Sequence, residues 1–209
     1  MGELALVLLG LLGAAVGNYP IPILAAQILA IDLLGEIGPL TLLTYDPPSR
    51  NTMTRPPRKP SEHMLNLFSA SEVTSIGIFI GGLAFANFFL FMIRQGITLT
   101  MDSVGTIQYM TATSLSYATI VFAQYINILE RRYERRSLFN RNFFSNRIVL
   151  VSILISIGLV SFALYTPYVS DFFGFGSPSL IDWGFVLLST AVFLVGFEGL
   201  KAVKRLKNN

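Results

Sequence analysis

Residues 22–45 read PILAAQILAIDLLGEIGPLTLLTY. The run is long enough to cross a bilayer as one helix, which takes about 20 apolar residues. Its only charged side chains are Asp32 and Glu36. A carboxylate in hydrocarbon costs several kcal/mol unless it is paired or faces a cavity, so each acid is a candidate functional group. The two lie four residues apart, which places them on one face of a helix. Gly35, Gly38 and Pro39 bracket Glu36. A helix loosened there frees backbone carbonyls to bind an ion. The alternative is a plain kink that serves packing alone.

Outward from this stretch the pattern repeats. Further apolar segments fall at 4–17, 68–93, 104–129, 147–166 and 181–200. Of the 209 residues, 53% are hydrophobic and 13% charged, and the mean hydropathy is +0.61. So low a charged fraction points to lipid as the solvent. The expected fold is an all-α membrane protein: a six-transmembrane-helix bundle, with an unwound second helix, forming a single domain over residues 1–209. The first span is short and starts at Met1, so it looks like the tail of a longer helix. The chain is expected to be a fragment or one piece of a split protein.

The connections fix the orientation. Residues 18–21 make a tight turn. The polar loop 46–66 holds Arg50, Arg55, Arg58 and Lys59. The loop 130–146 and its edge hold Arg131, Arg132, Arg135, Arg136, Arg141 and Arg147. The tail holds Lys201, Lys204, Arg205 and Lys207. Every basic residue except Arg94 therefore falls on alternate connections, hence on one side, and that side is the cytoplasm. Both termini and the loops 46–66 and 130–146 are expected there, in an integral protein of the cell membrane. Tyr109, Tyr165, Tyr168 and Trp183 stand near span ends, as interface anchors do. The loop 167–182 carries glycine, proline, Asp171 and Asp182. The pI near 9.3 follows from these topogenic residues, and no nucleic-acid partner is expected.

Several chemistries are excluded. With no cysteine there is no thiolate site or disulfide. No phosphate-binding G-x-x-x-x-G-K-[ST], no G-x-S-x-G and no histidine cluster is present. His63 stands alone in a loop.

Glu3 adds a third acid, in the first span. No basic residue lies in either of the first two spans to neutralise the three. The simplest partner is a cation or a proton, and hard cations favour several oxygen ligands. Gln27 and Thr41 could add oxygens. Gln124 and Asn127 on the fourth span either face the site or hydrogen-bond between helices. Glu72 reads as interfacial, Glu198 with Lys201 as a structural pair, and Gly77, Gly81 and Gly82 as helix-packing positions.

Residues 20–60, PIPILAAQILAIDLLGEIGPLTLLTYDPPSRNTMTRPPRKP, resemble the sixth transmembrane segment and following loop of cation-transporting P-type ATPases. The matching features are Asp32, Glu36, Pro39, Asp46-Pro47-Pro48 and Met53-Thr54-Arg55-Pro56-Pro57-Arg58. Gly2-Glu3 looks like the Gly-Glu of the family's fifth span. Residues 119–147 resemble the eighth span and the loop after it, and the stretch from Ser179 to Lys201 the tenth. The chain is thus similar to the C-terminal membrane domain, spans five to ten, of a calcium-pump-like member.

The resemblance implies that Glu3, Asp32 and Glu36 are cation ligands, with Gln124 a fourth candidate at the place of an eighth-span Asn. Val121 stands where sarcoplasmic-reticulum calcium pumps have a Glu, and Gly35 where a Thr precedes the sixth-span Asp. Asp32 is the choice of sodium/potassium pumps, where calcium pumps often have Asn. The implied transported cation is Ca²⁺, with Na⁺, K⁺ or H⁺ behind it, and no stably bound cofactor. The implied partner is the N-terminal, catalytic portion, whose phosphorylated Asp and nucleotide domain have no counterpart here. No catalytic activity is expected of this chain alone. The loop 46–60 would touch the phosphorylation domain. Two other functions fit the same residues: a truncated accessory or regulatory paralogue of a full pump, and a secondary transporter using Asp32 and Glu36 as a proton relay.

Overall fold

The apolar runs fold as helices in the computed structural model, which describes residues 1–45, 67–97, 104, 106–132 and 147–207. Asp46-Pro47-Pro48, the Met53–Arg58 motif, His63 and the arginine-rich stretch 133–146 lie outside the described residues. α1 covers Gly2–Gly17. The second helix is composite: α2 (Ala25–Ala30), a π-helical segment (Ile31–Glu36), α3 (Ile37–Leu42) and a closing 3₁₀ turn (Leu43–Tyr45). Then come α4 (Leu67–Arg94), α5 (Ile107–Arg131), α6 (Arg147–Tyr165), α7 (Pro167–Phe173) and α8 (Leu180–Lys207). The described residues contain no strand.

Four stretches are long and apolar enough to cross a bilayer: Ala25–Tyr45, Ala70–Arg94, Arg147–Tyr165 and Leu180–Ala202. The other two expected spans differ from them for separate reasons. α1 is apolar but has only 16 residues. α5 has the length, 25 residues, but carries Thr111, Thr113, Ser114, Ser116, Thr119, Gln124 and Asn127. It is buried almost continuously from Tyr109 to Glu130 and packs against α4, α8, α6 and the π-helical segment. A helix wrapped by other helices meets protein partners, not lipid, and its serine and threonine hydroxyls all donate to backbone carbonyls. Asn87 of α4 donates to Thr119 at 2.7 Å and accepts from Ser189 of α8 at 3.2 Å, joining three helices through one buried amide.

Each end of α8 is fixed by an ion pair. At its start, Ser179 and Asp182 form a reciprocal cap: Asp182 Oδ2 accepts from Ser179 N–H at 2.8 Å and Ser179 Oγ from Asp182 N–H at 3.4 Å. Asp182 also pairs with Arg94, whose guanidinium lies over the Phe91 and Phe185 rings. The one basic residue outside the basic connections is therefore matched by a buried acid. Near its other end, buried Lys201 pairs with buried Glu130 of α5 and donates to the Glu130 carbonyl at 2.8 Å. Glu130, which begins the arginine-rich loop 130–146 in the sequence reading, is thus a partner of Lys201 across the interface.

Two further readings change. Tyr109 is not a lipid-facing anchor: it is 3% exposed, and its hydroxyl donates to the Ile21 carbonyl at 2.8 Å. Tyr168, in contrast, is fully out, and Trp183 donates to Tyr165 at 2.6 Å. The loop at 167–182 contains the short helix α7, started by Pro167 in the first helical position.

α1 is held against α4 by close backbone approach. A Cβ at Gly81 would lie 2.8 Å from the Gly2 carbonyl oxygen and 2.9 Å from Leu6 N. Gly77 faces Met1 in the same way, whereas nothing lies within 4 Å of a Cβ at Gly82. The obstacle at Gly81 is backbone, which cannot swing aside. Gly81→Val is therefore expected to push α1 off α4 at a cost of about 1–3 kcal/mol, read as a lower unfolding temperature in detergent, while Gly82→Ala leaves it unchanged. Because Gly2 is the contact, the displaced residue is Glu3's neighbour.

Candidate cation site

The first turn of α1 supplies Glu3 and the π-helical segment supplies Asp32 and Glu36. The expected loosening of the second helix takes this π-helical form. Ile37 N–H bonds back five residues, to the Asp32 carbonyl, and such widened turns recur at functional sites. Pro39 has no N–H to offer the Gly35 carbonyl. Gly35 packs closely on α5, since a Cβ there would stand 3.1 Å from the Val121 side chain.

One carboxylate oxygen from each of Glu3, Asp32 and Glu36 lies within 4.8 Å of the other two. Two oxygens bound to one Ca²⁺ at about 2.4 Å are at most about 4.8 Å apart, so all three can reach a single ion. Glu3 and Glu36 are half-buried and Asp32 is exposed. Glu36 Oε1 is buried and has no hydrogen-bond partner, a costly state for a carboxylate oxygen that a cation or proton relieves. Asp32 and Glu36 border an open groove with Leu33, Ile37 and Leu40. Leu29, Leu33, Ile37 and Leu40 present an exposed apolar stripe along it.

Gln124 is half-buried on α5, one turn beyond Val121, the residue that packs against Gly35 of the π-helical segment. Its side-chain oxygen accepts from Asn127 at 3.0 Å. Gln27 is engaged away from the site. Gln27 is fully buried, and each of its groups is used elsewhere. Its oxygen accepts from Leu24 N–H at 3.2 Å, and its amide donates to Thr113 at 2.9 Å and to the Gly174 carbonyl at 3.0 Å. It ties the head of the second helix to α5 and to the end of α7. Thr41 is exposed.

Three clustered carboxylates, with no basic side chain in the helices that carry them, are a donor set that could hold a cation. The comparisons narrow this. Residues 20–203 match the family described as Cation transporting ATPase, C-terminus, and the chain belongs to that family. Asp32, Glu36 and Gln124 fall inside the matched residues, and Glu3 precedes them. A calcium-transporting ATPase of Bacillus subtilis (strain 168) is 29% identical over 192 residues, covering 92% of this chain and 20% of the relative. The calcium-transporting ATPase type 2C member 1 of Homo sapiens is 29% identical over 196 residues, with 92% and 20% covered. The endoplasmic reticulum-type calcium-transporting ATPase 4 of Arabidopsis thaliana is 23% identical over 250 residues, with 98% and 23% covered. The chain thus spans about a fifth of the length of these relatives.

Proposed function

We propose that this chain is the cation-binding membrane portion of a P-type ATPase that carries Ca²⁺ across the cell membrane with energy from ATP hydrolysed by domains outside it. The observation that carries this reading is the cluster of Glu3, Asp32 and Glu36 within 4.8 Å. Their hard oxygens suit Ca²⁺, and the calcium-transporting relatives favour it over Na⁺, K⁺ or H⁺. In this reading Glu3, Asp32 and Glu36 ligate the ion and Gln124 stands beside it. The open groove beside Asp32 and Glu36 is the side on which a helix of the N-terminal portion completes the site. Both termini and the loops 46–66 and 130–146 face the cytoplasm, where the basic residues are. The loop 46–60 meets the catalytic domains, and residues 1–209 act as one membrane domain.

The reading is tested in vesicles that contain this chain together with its N-terminal portion. ATP-driven uptake of radioactive calcium is expected, and Asp32→Asn removes it. Calcium transport by the chain alone, without ATP, would instead assign it to secondary transport.

A further inference from the structure

The connection between α7 and α8 does not stay on the surface. Its residues 174–178 read Gly-Phe-Gly-Ser-Pro, and Phe175, Gly176 and Pro178 are buried. They enter the bundle at the end where the second helix and α5 begin. Phe175 is 3% exposed, and its ring centre lies 4.6 Å from that of Tyr117 on α5. Gly176 lies against the α5 backbone, where a Cβ would come within 2.5 Å of Thr111 N. Gly174 has a φ of 67°, and a Cβ there would stand 2.7 Å from Leu24, at the head of α2. Glycine therefore serves both positions by close approach, and the first by backbone conformation as well.

A buried loop carries backbone polar groups that protein must satisfy. Here α2, α5, α6 and α7 each supply a partner. The Gly174 carbonyl accepts from the Gln27 amide at 3.0 Å. Phe175 N–H donates to the Ser170 carbonyl at 2.8 Å, and the Phe175 carbonyl accepts from Ser170 Oγ at 2.8 Å. Gly176 N–H donates to Ser114 Oγ at 2.9 Å. Pro178 has no N–H, and its carbonyl accepts from the Tyr165 hydroxyl at 2.8 Å. A loop bathed in water needs no such set of partners. The inserted segment also stands close to the carboxylates. Gln27 precedes Asp32 by five residues, about 7 Å along a helix. Tyr117 precedes Val121 by one turn, and Val121 is the residue on which Gly35 packs. Phe175, Tyr117 and Val121 are thus stacked, all buried, down to the level of the π-helical segment.

We propose that residues 174–178 are a plug, which closes the approach to the Glu3, Asp32 and Glu36 carboxylates along α5. Phe175 fills the space between the second helix and α5, and Gln27 and Ser114 hold the plug in place. The open groove beside Asp32 and Glu36 is on this account the way to the carboxylates. What the plug guards rests on the cation-site reading; that it seals the bundle does not.

The chain has no cysteine, so one introduced thiol reports alone. Val121→Cys places it behind the plug, at a fully buried position. The full chain in lipid nanodiscs is treated with a water-soluble, permanently cationic thiol reagent, and the rate of labelling is read. Labelling is expected to be about a hundredfold faster when Phe175→Ala is added, the scale for losing a buried phenyl ring. With Ser114→Ala it is expected to be about fivefold faster, the scale of one neutral hydrogen bond. Val149→Cys, equally buried at the opposite end of α6, is expected to keep its rate in both backgrounds. Phe175→Ala without acceleration at Val121→Cys overturns the plug. Equal acceleration at Val149→Cys overturns it too, since the bundle would then loosen as a whole. Labelling needs no Ca²⁺, so the plug is judged separately from the site. If labelling follows the expected pattern but the chain binds no radioactive calcium, the plug stands and the cation-site reading fails.

Discussion

With Glu36 replaced by Gln, the protein is expected to unfold at a higher temperature than the unsubstituted one in Ca²⁺-free buffer, and to gain nothing when Ca²⁺ is added. Three carboxylates whose oxygens lie within 4.8 Å of one another repel when ionised. No basic side chain on α1 or the second helix offsets them. Two like charges at about 4 Å interact by about 4 kcal/mol at an effective dielectric constant near 20. Asp32 is exposed, which screens much of this, so a net relief of about 1–2 kcal/mol is the expected scale. Gln keeps the shape while removing the charge. The unsubstituted protein shows the opposite sign with Ca²⁺: a ligand that binds only the folded form raises its stability, by about 2.7 kcal/mol at a hundredfold excess over Kd. Thermal unfolding in lipid nanodiscs with and without Ca²⁺ reads both effects. A Glu36→Gln protein that is less stable without the ion would mean that the acids are satisfied structurally within the bundle. Sites that carry function at the expense of stability behave in the predicted way.

Lys201→Met is expected to destabilise the docking of α8 by about 3 kcal/mol or more, because it strips the cation from a buried carboxylate. Glu130 is fully buried and Lys201 6% exposed. Glu130 Oε1 already lacks a hydrogen-bond partner, so the pair is only just satisfied. Adding Glu130→Leu to Lys201→Met is expected to restore most of the loss, since removing both charges removes the desolvation cost with them. The single tryptophan of the chain, Trp183, sits on α8 against Phe122 of α5, so its fluorescence during denaturation follows this interface. Equal stability of the single and double variants would show that the pair is solvated in the membrane.

The bundle was largely legible because lipid imposes a simple rule. Spans at 22–45, 68–93, 147–166 and 181–200 announce themselves as uninterrupted apolar runs, and four helices meet that description. α5 shows where the rule stops. Its hydroxyls and amides are affordable only because neighbouring helices surround it, and a one-dimensional hydropathy reading carries no neighbours. Tyr109 failed for the same reason: its place near a span end was correct, but its hydroxyl turns inward to Ile21.

The acids of the site were legible one by one, since a charge in an apolar run is conspicuous. The spacing of Asp32 and Glu36 put them together on one helix. That Glu3 joins them required the α1 packing that Gly77 and Gly81 permit, which no local pattern encodes. Gln27 illustrates the converse. Its amide and oxygen suit a ligand, yet a fold that brings Thr113 and Gly174 to it uses all of them. Glu130 went unnoticed beside a run of arginines, because its partner lies 71 residues away.

The most direct test of the central claim is equilibrium binding of radioactive calcium to the full chain in lipid nanodiscs, compared with a variant carrying Glu3→Gln, Asp32→Asn and Glu36→Gln together. Saturable binding that the triple substitution abolishes, with the helical content unchanged, is the predicted result. Saturable binding that survives it would place the ion elsewhere and contradict the assignment of these three carboxylates as the cation site.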